Sequence, residues 1–259
     1  MKSSFLFLGT GASMGTPVLT CQCAVCSSSD MHNQRLRPSG LLKIGDKRFL
    51  IDVGPDYRMQ ALKYGVERLD GVLITHTHYD HIAGLDDLRV YYFFHKKTLP
   101  CLLSDDSLAE LKIRNHYFFE KSTDDVMGGS RFNFEVIKDH FGSVDFGGEQ
   151  WQTMTYEQGG MKVTGYRWGK FAYVMDLKNF TEEIYSALKG VEVLIMSALR
   201  YRPSPAHLTM EEAVVFAKRV GAKQTWFSHV AHDLDHATIN RELPEGMKLA
   251  HDGLEIDVN

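Results

Sequence analysis

Residues 75–81 read THTHYDH and follow directly on the apolar run Gly71-Val72-Leu73-Ile74. Three imidazoles and a carboxylate at the end of a buried strand are costly to desolvate, so the stretch calls for a use. In an extended segment alternate side chains share a face, which sends His76 and His78 to the same side. Asp80 and His81 come just after, at the turn into a helix, and face a second point nearby. That spacing suits two adjacent divalent ions better than one. Ions roughly 3.5–4 Å apart share a hydroxide, present it as a nucleophile and stabilise the developing oxyanion. A chance run of surface polar residues explains neither the preceding strand nor the H-x-H-x-D-H order.

The chain around this stretch reads as α/β. Ser4–Leu8 is a short apolar strand closed by Gly9-Thr10-Gly11, and Leu41–Ile44 and Arg48–Val53 flank Gly45-Asp46 as a hairpin. Asp56–Tyr64, stopped by Gly65, reads as a helix; the spacing then predicts a strand over Gly71–Thr75 and a helix from His81 to about Val90. Further strands are expected at Lys162–Gly165, Phe171–Val174, Val191–Met196 and Thr225–Phe227, with an amphipathic helix over Met210–Val220. The region 91–150 is the least regular, and its aromatic residues read as core.

Composition limits the function. The 259 residues are 44% hydrophobic and 24% charged, enough for a sizeable core in one domain spanning residues 1–259. Lys+Arg 29 against Asp+Glu 33 gives a net charge of −4, with no basic block of the kind that follows a nucleic-acid backbone. Nucleic acid is therefore an unfavoured substrate. The N-terminal apolar run is too short for a signal peptide or a membrane span, so it reads as the first strand of a cytoplasmic protein. Gly9-Thr10-Gly11 lacks the Gly-Lys-Ser/Thr of a phosphate-binding loop.

Cys21, Cys23 and Cys26 form C-x-C-x-x-C, three soft ligands where a closed zinc site needs four. A redox pair and free buried thiols are the alternatives, but neither accounts for a cluster of three. Cys101, inside Leu99–Leu103, reads as a small buried apolar residue.

The H-x-H-x-D-H order resembles the signature of the metallo-β-lactamase superfamily. The set FLGTGASMGTP (7–17), CQCAVC (21–26), LIDVGPD (50–56), GYRWGKFAYVMD (165–176) and FSHVAHD (227–233) is similar to the branch holding the phosphoribosyl 1,2-cyclic phosphate phosphodiesterase of the carbon–phosphorus lyase pathway. The resemblance implies a four-layer αββα sandwich with metal ions along one edge. It further implies that His76 and His78 hold one ion, that Asp80, His81 and His229 hold the other, and that Asp176 bridges them. Asp176 and His229 each follow an apolar run, where a strand end would present them to one edge. By the same resemblance His232 is the fourth ligand of a structural zinc, and His207 in Pro203-Ser204-Pro205-Ala206-His207 reaches the substrate phosphate or leaving group as general acid. Pairing into a homodimer through the 91–150 region is likewise implied.

In one place the sequence departs from this pattern. Related chains carry a third histidine for the first ion a few residues before the Gly-Tyr-Arg strand, where this chain has Gln158. A neutral amide oxygen is the weaker ligand for zinc-like ions, unless Glu157 or His140 substitutes. The expectation is a metal-dependent phosphoric diester hydrolase acting on a small, cyclic phosphodiester. Two active-site ions, zinc or manganese, would serve it, with Asp80 and His207 nearest the chemistry. A nuclease of the same superfamily and a catalytically weakened metal-binding protein are the competing readings. His32, His95, His116, His140, His236 and His251 match no ligand spacing, and Asp252-Gly253 reads as a turn.

Overall fold

The computed structural model of the chain describes residues 2–119 and 132–259. In chain order the elements are β1 (Ser3–Gly9), β2 (Ser39–Ile44), β3 (Lys47–Ile51), α1 (Tyr57–Tyr64), β4 (Gly71–Leu73), α2 (Tyr79–Ile82), α3 (Arg89–His95), β5 (Leu99–Ser104), α4 (Asp105–Arg114) and β6 (Phe132–Ile137). There follow β7 (Phe141–Phe146), β8 (Glu149–Gln158), β9 (Met161–Trp168), β10 (Phe171–Val174), α5 (Glu183–Ala187), β11 (Val193–Ser197), α6 (Met210–Val220), β12 (Gln224–Ser228), α7 (His236–Glu242), β13 (Met247–Leu249) and β14 (Glu255–Asp257). Among the described residues the strands form two sheets of seven, ordered β14-β1-β2-β3-β4-β5-β6 and β13-β12-β11-β10-β9-β8-β7.

Strand periodicity sorts the side chains into three apolar layers. On β1, Phe5 and Phe7 join a central layer that takes Phe49, Leu73 and Leu102 from one sheet and Trp151, Tyr166, Phe171 and Ile195 from the other. The alternate residues Leu6 and Leu8 face outward onto Tyr57, Leu85 and Leu88. On the far side Val174, Leu194, Met196 and Phe227 pack against Ile184, Ala213 and Phe216 of the helices there. This is the expected αββα sandwich. No helix among the described residues is long and apolar enough to cross a membrane.

Each sheet is antiparallel on one side and parallel on the other. The β2–β3 hairpin is antiparallel, whereas β3, β4, β5 and β6 run parallel. In the second sheet β10, β11, β12 and β13 run parallel. Parallel strands put their C-terminal ends on one edge, and the loops at such an edge are where ligands bind. Asp52, the 75–81 stretch, Asp176 and His229 all fall there, directly after β3, β4, β10 and β12. Two bonds fasten the sheets together beside this edge: the Thr164 amide donates to Thr75 O (2.9 Å) and the Tyr166 hydroxyl to Ile74 O (2.6 Å).

The helix expected from His81 to about Val90 is instead α2, a 3-10 turn over Leu85–Leu88, and α3. The break falls at Gly84, whose amide donates to Val53 O (2.9 Å). A Cβ on Gly84 would lie 2.3 Å from Gly54 O, and one on Gly54 would lie 2.3 Å from Asp80 O. The α2 turn thus lies flush on the β3–α1 loop, a contact that one continuous helix would forgo. Of the aromatic residues read as core in 91–150, Tyr91, Phe118 and Phe132 are buried, while Phe93, Phe94 and Tyr117 are exposed. Residues 120–131 of that region lie outside the described residues. Gly84→Ala is expected to cost about 1–3 kcal/mol by forcing α2 off the loop, read as a lowered urea midpoint with unchanged m-value.

Candidate active site

The site is organised by a buried carboxylate that sequence reasoning passed over. Asp52 accepts from the Thr75 amide (2.9 Å) and from the Thr75 hydroxyl (2.9 and 3.0 Å), and its Oδ2 accepts from His81 Nδ1 (2.8 Å). Because the Thr75 proton goes to Asp52, its Oγ1 is left to accept from His76 Nδ1 (2.9 Å). Both imidazoles therefore carry their proton on Nδ1 and present Nε2 inward. Holding a ligand histidine by its other nitrogen fixes its tautomer and ring orientation. The signal for Asp52 was in the sequence: an aspartate directly after the apolar strand Phe49-Leu50-Ile51.

The structure brings the expected ligands into two groups that share Asp176. In the first, His76 Nε2 lies 2.9 Å from His78 Nδ1 and 3.3 Å from Asp176 Oδ2. In the second, His81 Nε2 lies 3.4 Å from Asp80 Oδ2 and 3.2 Å from Asp176 Oδ2, while His229 Nε2 lies 3.2 Å from both Asp80 Oδ2 and Asp176 Oδ1. Ligands about 2.0–2.2 Å from a tetrahedral ion stand about 3.3–3.5 Å apart; the spacings of the second group come close to this, while the His76–His78 pair at 2.9 Å is tighter. Four buried atoms at the site, His81 Nε2, Asp176 Oδ1, Gln158 Oε1 and His229 Nδ1, have no hydrogen-bond partner. A neutral His81 would point a lone pair at two carboxylates, an arrangement that a bound cation or a proton on Nε2 would satisfy. Burial opposes charge on His81, but Asp52, Asp80 and Asp176 hold its pKa well above the ordinary range. The donor set fits two divalent ions.

Asp52, Asp176 and His229 all have left-handed backbones, with φ of 60°, 54° and 57°. Each such residue costs about 1–3 kcal/mol and persists only where its surroundings impose it. The conformation turns the chain sharply off the strand end and aims the side chain at the shared centre.

Gln158 and His207 close the remaining side. Gln158 Nε2 donates to Asp176 Oδ2 (3.2 Å) and to His207 Nε2 (3.0 Å), and His207 Nδ1 stands 3.6 Å from Asp176 Oδ1. Burial pushes the His207 pKa down to about 4, so the ring is neutral at pH 7. Glu157 is exposed, and His140 is exposed beside Thr155, three residues short of Gln158, where its carbonyl takes the Thr155 amide. Among the described residues neither joins a ligand group.

The cysteines form a second centre. Sγ of Cys21, Cys23 and Cys26 lie 3.4, 3.4 and 3.5 Å from His232 Nδ1. A tetrahedral zinc with bonds of about 2.3 Å to sulfur and 2.0–2.1 Å to nitrogen has S···N edges of about 3.6 Å. All four cysteines are free thiols. The loop that supplies His229 to one centre supplies His232 to the other.

Asp252 was read as a plain turn residue, yet its buried carboxylate accepts from the Thr10 hydroxyl and the Leu36 amide (2.7 Å each). Arg35, also buried, donates to the same Thr10 hydroxyl (2.7 Å), and Thr10 O accepts the Val230 amide (3.0 Å). The pair thus supports the loop behind His229. His32, His236 and His251 gather beside Arg35 with ring centroids 4.3–5.7 Å apart, outside every ligand group.

Residues 47–230 match the family described as the beta-lactamase superfamily domain. A solved structure described as a new diphosphatase from the PhnP family superposes with a TM-score of 0.91 at 36% identity, covering 99% of this chain and 97% of that one. The chain belongs to the beta-lactamase superfamily, in its PhnP family. As a PhnP-family member it is a hydrolase by fold. A Porphyromonas gingivalis protein named octanoyltransferase is 36% identical over 96% of this chain but only 50% of its own length, so the chain spans about half of that curated relative. YhfI from Bacillus subtilis, at 17% identity and a TM-score of 0.77 over 99% of both chains, shares the fold.

Two measurements probe the centres. Asp52→Asn replaces an all-acceptor carboxylate with a group that cannot accept from all its partners, so metal affinity at the His/Asp centre should fall about 10–100-fold in calorimetric titration. Cys23→Ser should remove one equivalent of zinc and lower the melting temperature while leaving the His/Asp ligands in place. Retention of full metal content would exclude the cysteine site.

Proposed function

We propose that this PhnP-family protein hydrolyses a small phosphodiester, a cyclic one foremost, using His76, His78, Asp80, His81, Asp176 and His229 to hold two divalent ions. The observation that carries the reading is Asp176, whose two oxygens face different imidazoles within 3.2–3.3 Å and join two donor groups at one strand edge. Zinc or manganese ions there would supply an activated water and neutralise charge on the phosphoryl oxygens. Asp52 keeps His76 and His81 in the ligating tautomer. His207 stands beside the bridging carboxylate, placed to hydrogen-bond the departing oxygen. The cysteine centre, with His232, is proposed to hold a structural zinc that fixes the 229–232 loop.

A neighbouring cleft is the proposed seat for the organic part of such a substrate. A cleft of about 590 Å³ opens one residue from both His78 and Gln158, lined by Thr77, Asp106, Ser107, Glu110, Gly159 and Lys162. That volume suits a small molecule. Glu110 takes the Thr77 hydroxyl and Arg114 donates to Thr77 O (2.7 Å), clamping the loop between the two histidines to α4. A diphosphate ester is the second reading, because the 36%-identical solved relative is described as a diphosphatase. Octanoyl transfer is not carried over, since that name covers a protein of which this chain matches half.

Turnover of bis(p-nitrophenyl) phosphate, a ribose cyclic phosphate and a nucleoside diphosphate ester, measured with metal content, tests the proposal. Asp80→Ala should abolish hydrolysis while the fold persists. His207→Ala should slow substrates with poor leaving groups more than good ones, the modest loss expected of a neutral hydrogen-bond donor to the departing oxygen. Failure of the metal-loaded protein on every phosphoester would end the reading.

A further inference from the structure

The two donor groups that share Asp176 are unequal. One has Asp80, His81 and His229 besides the shared carboxylate, with His207 also gathered against Asp176 and His229; the other has only His76 and His78. The residue standing where a further donor would complete the poorer group is Gln158. It is 3% exposed, and its Oε1 is buried with no hydrogen-bond partner.

Gln158 is held there by register. It ends β8, paired with Met161 across the turn Gly159-Gly160, and strand alternation sends Tyr156 and Gln158 inward and Glu157 outward. Glu157 cannot exchange places with it without slipping the whole ladder. The Gln158 amide is already committed, its Nε2 donating to Asp176 Oδ2 and to His207. With Nε2 holding both bonds, the side chain has only its unpartnered neutral oxygen left to offer an ion bound by His76 and His78. An amide oxygen is also a poorer donor to zinc than an imidazole, and it suits manganese better. His78 is only half buried, which leaves this group the more open to exchange.

From this we infer that Gln158 makes the metal pair asymmetric, with a tight ion at Asp80, His81, His229 and Asp176 and a loosely held, exchangeable ion at His76, His78 and Asp176 that favours manganese. The inference rests on the metal-hydrolase reading above and adds which ion is labile and why. In the working protein the loose ion would then be set by the metal supply, and activity would follow manganese concentration while the tight ion stays in place.

The test needs no turnover. Protein stripped by a chelator and refilled with zinc at the cysteine site is titrated with zinc and with manganese by calorimetry, and bound manganese is followed by electron paramagnetic resonance. Wild type should show two steps at least about tenfold apart, with manganese entering the weaker one while zinc occupies the stronger. Gln158→His should draw the steps together and remove the manganese preference. Gln158→Glu, closest in shape, gives the same answer should the histidine variant fail to melt cooperatively, because an anionic oxygen should also tighten the weak step. Two equal steps in wild type overturn the inference, as does a folded variant whose weak step has not moved. Absence of any ion at the His/Asp centre instead overturns the metal-hydrolase reading itself, and the inference with it.

Discussion

The Asp52 carboxylate is the hinge on which the site turns. It takes the Thr75 amide and hydroxyl and the His81 ring, and through Thr75 it reaches His76. One buried anion thereby fixes the start of the histidine stretch and the tautomers of two rings, one in each donor group. The charge is tolerable in the interior because each of its oxygens accepts charge-assisted hydrogen bonds, which are about twice as strong as neutral ones. Were it absent, Thr75 and His81 would keep buried donors without acceptors, and each unmet group costs about 1–3 kcal/mol.

Around this anion the fold supplies convergence. Parallel strands end on a common edge, and left-handed residues at three of those ends turn Asp52, Asp176 and His229 into one volume. The two sheets could slide past each other if only apolar layers joined them. Thr164 and Tyr166 of β9 oppose this by bonding to the carbonyls just before the histidines, which holds donors from the two sheets in register. Close glycine contacts at Gly54 and Gly84 set the height of α2, and with it Asp80 and His81.

The second centre is coupled to the first by three residues of chain. His229 faces Asp80 and Asp176, while His232 faces the three cysteines, so order at either end constrains the other. Thr10, Arg35 and Asp252 brace the same loop from behind. The N-terminal segment, which supplies no ligand to the His/Asp centre, nonetheless fixes one of its walls.

Much of this was legible in the residues. The H-x-H-x-D-H order after an apolar strand, the C-x-C-x-x-C cluster and the Gly-capped helix over 57–64 are local patterns whose geometry follows from strand and helix periods alone, and α6 and β10 fell where their spacing put them. The resemblance to the metallo-β-lactamase superfamily extended this to Asp176, His207, His229 and His232. Other features depended on chain segments far apart in sequence. Nothing in the order of residues says that the Asp52 carboxylate meets a histidine 29 positions on, or that Asp252 meets Thr10 across 242. Nor does it say that the helix from His81 must break where Gly84 touches Gly54. Sequence determined which side chains were available and which faces they took, because those depend on local backbone period. Only the tertiary structure decided which of them share a charge, because a buried ion finds its partners through packing of distant strands.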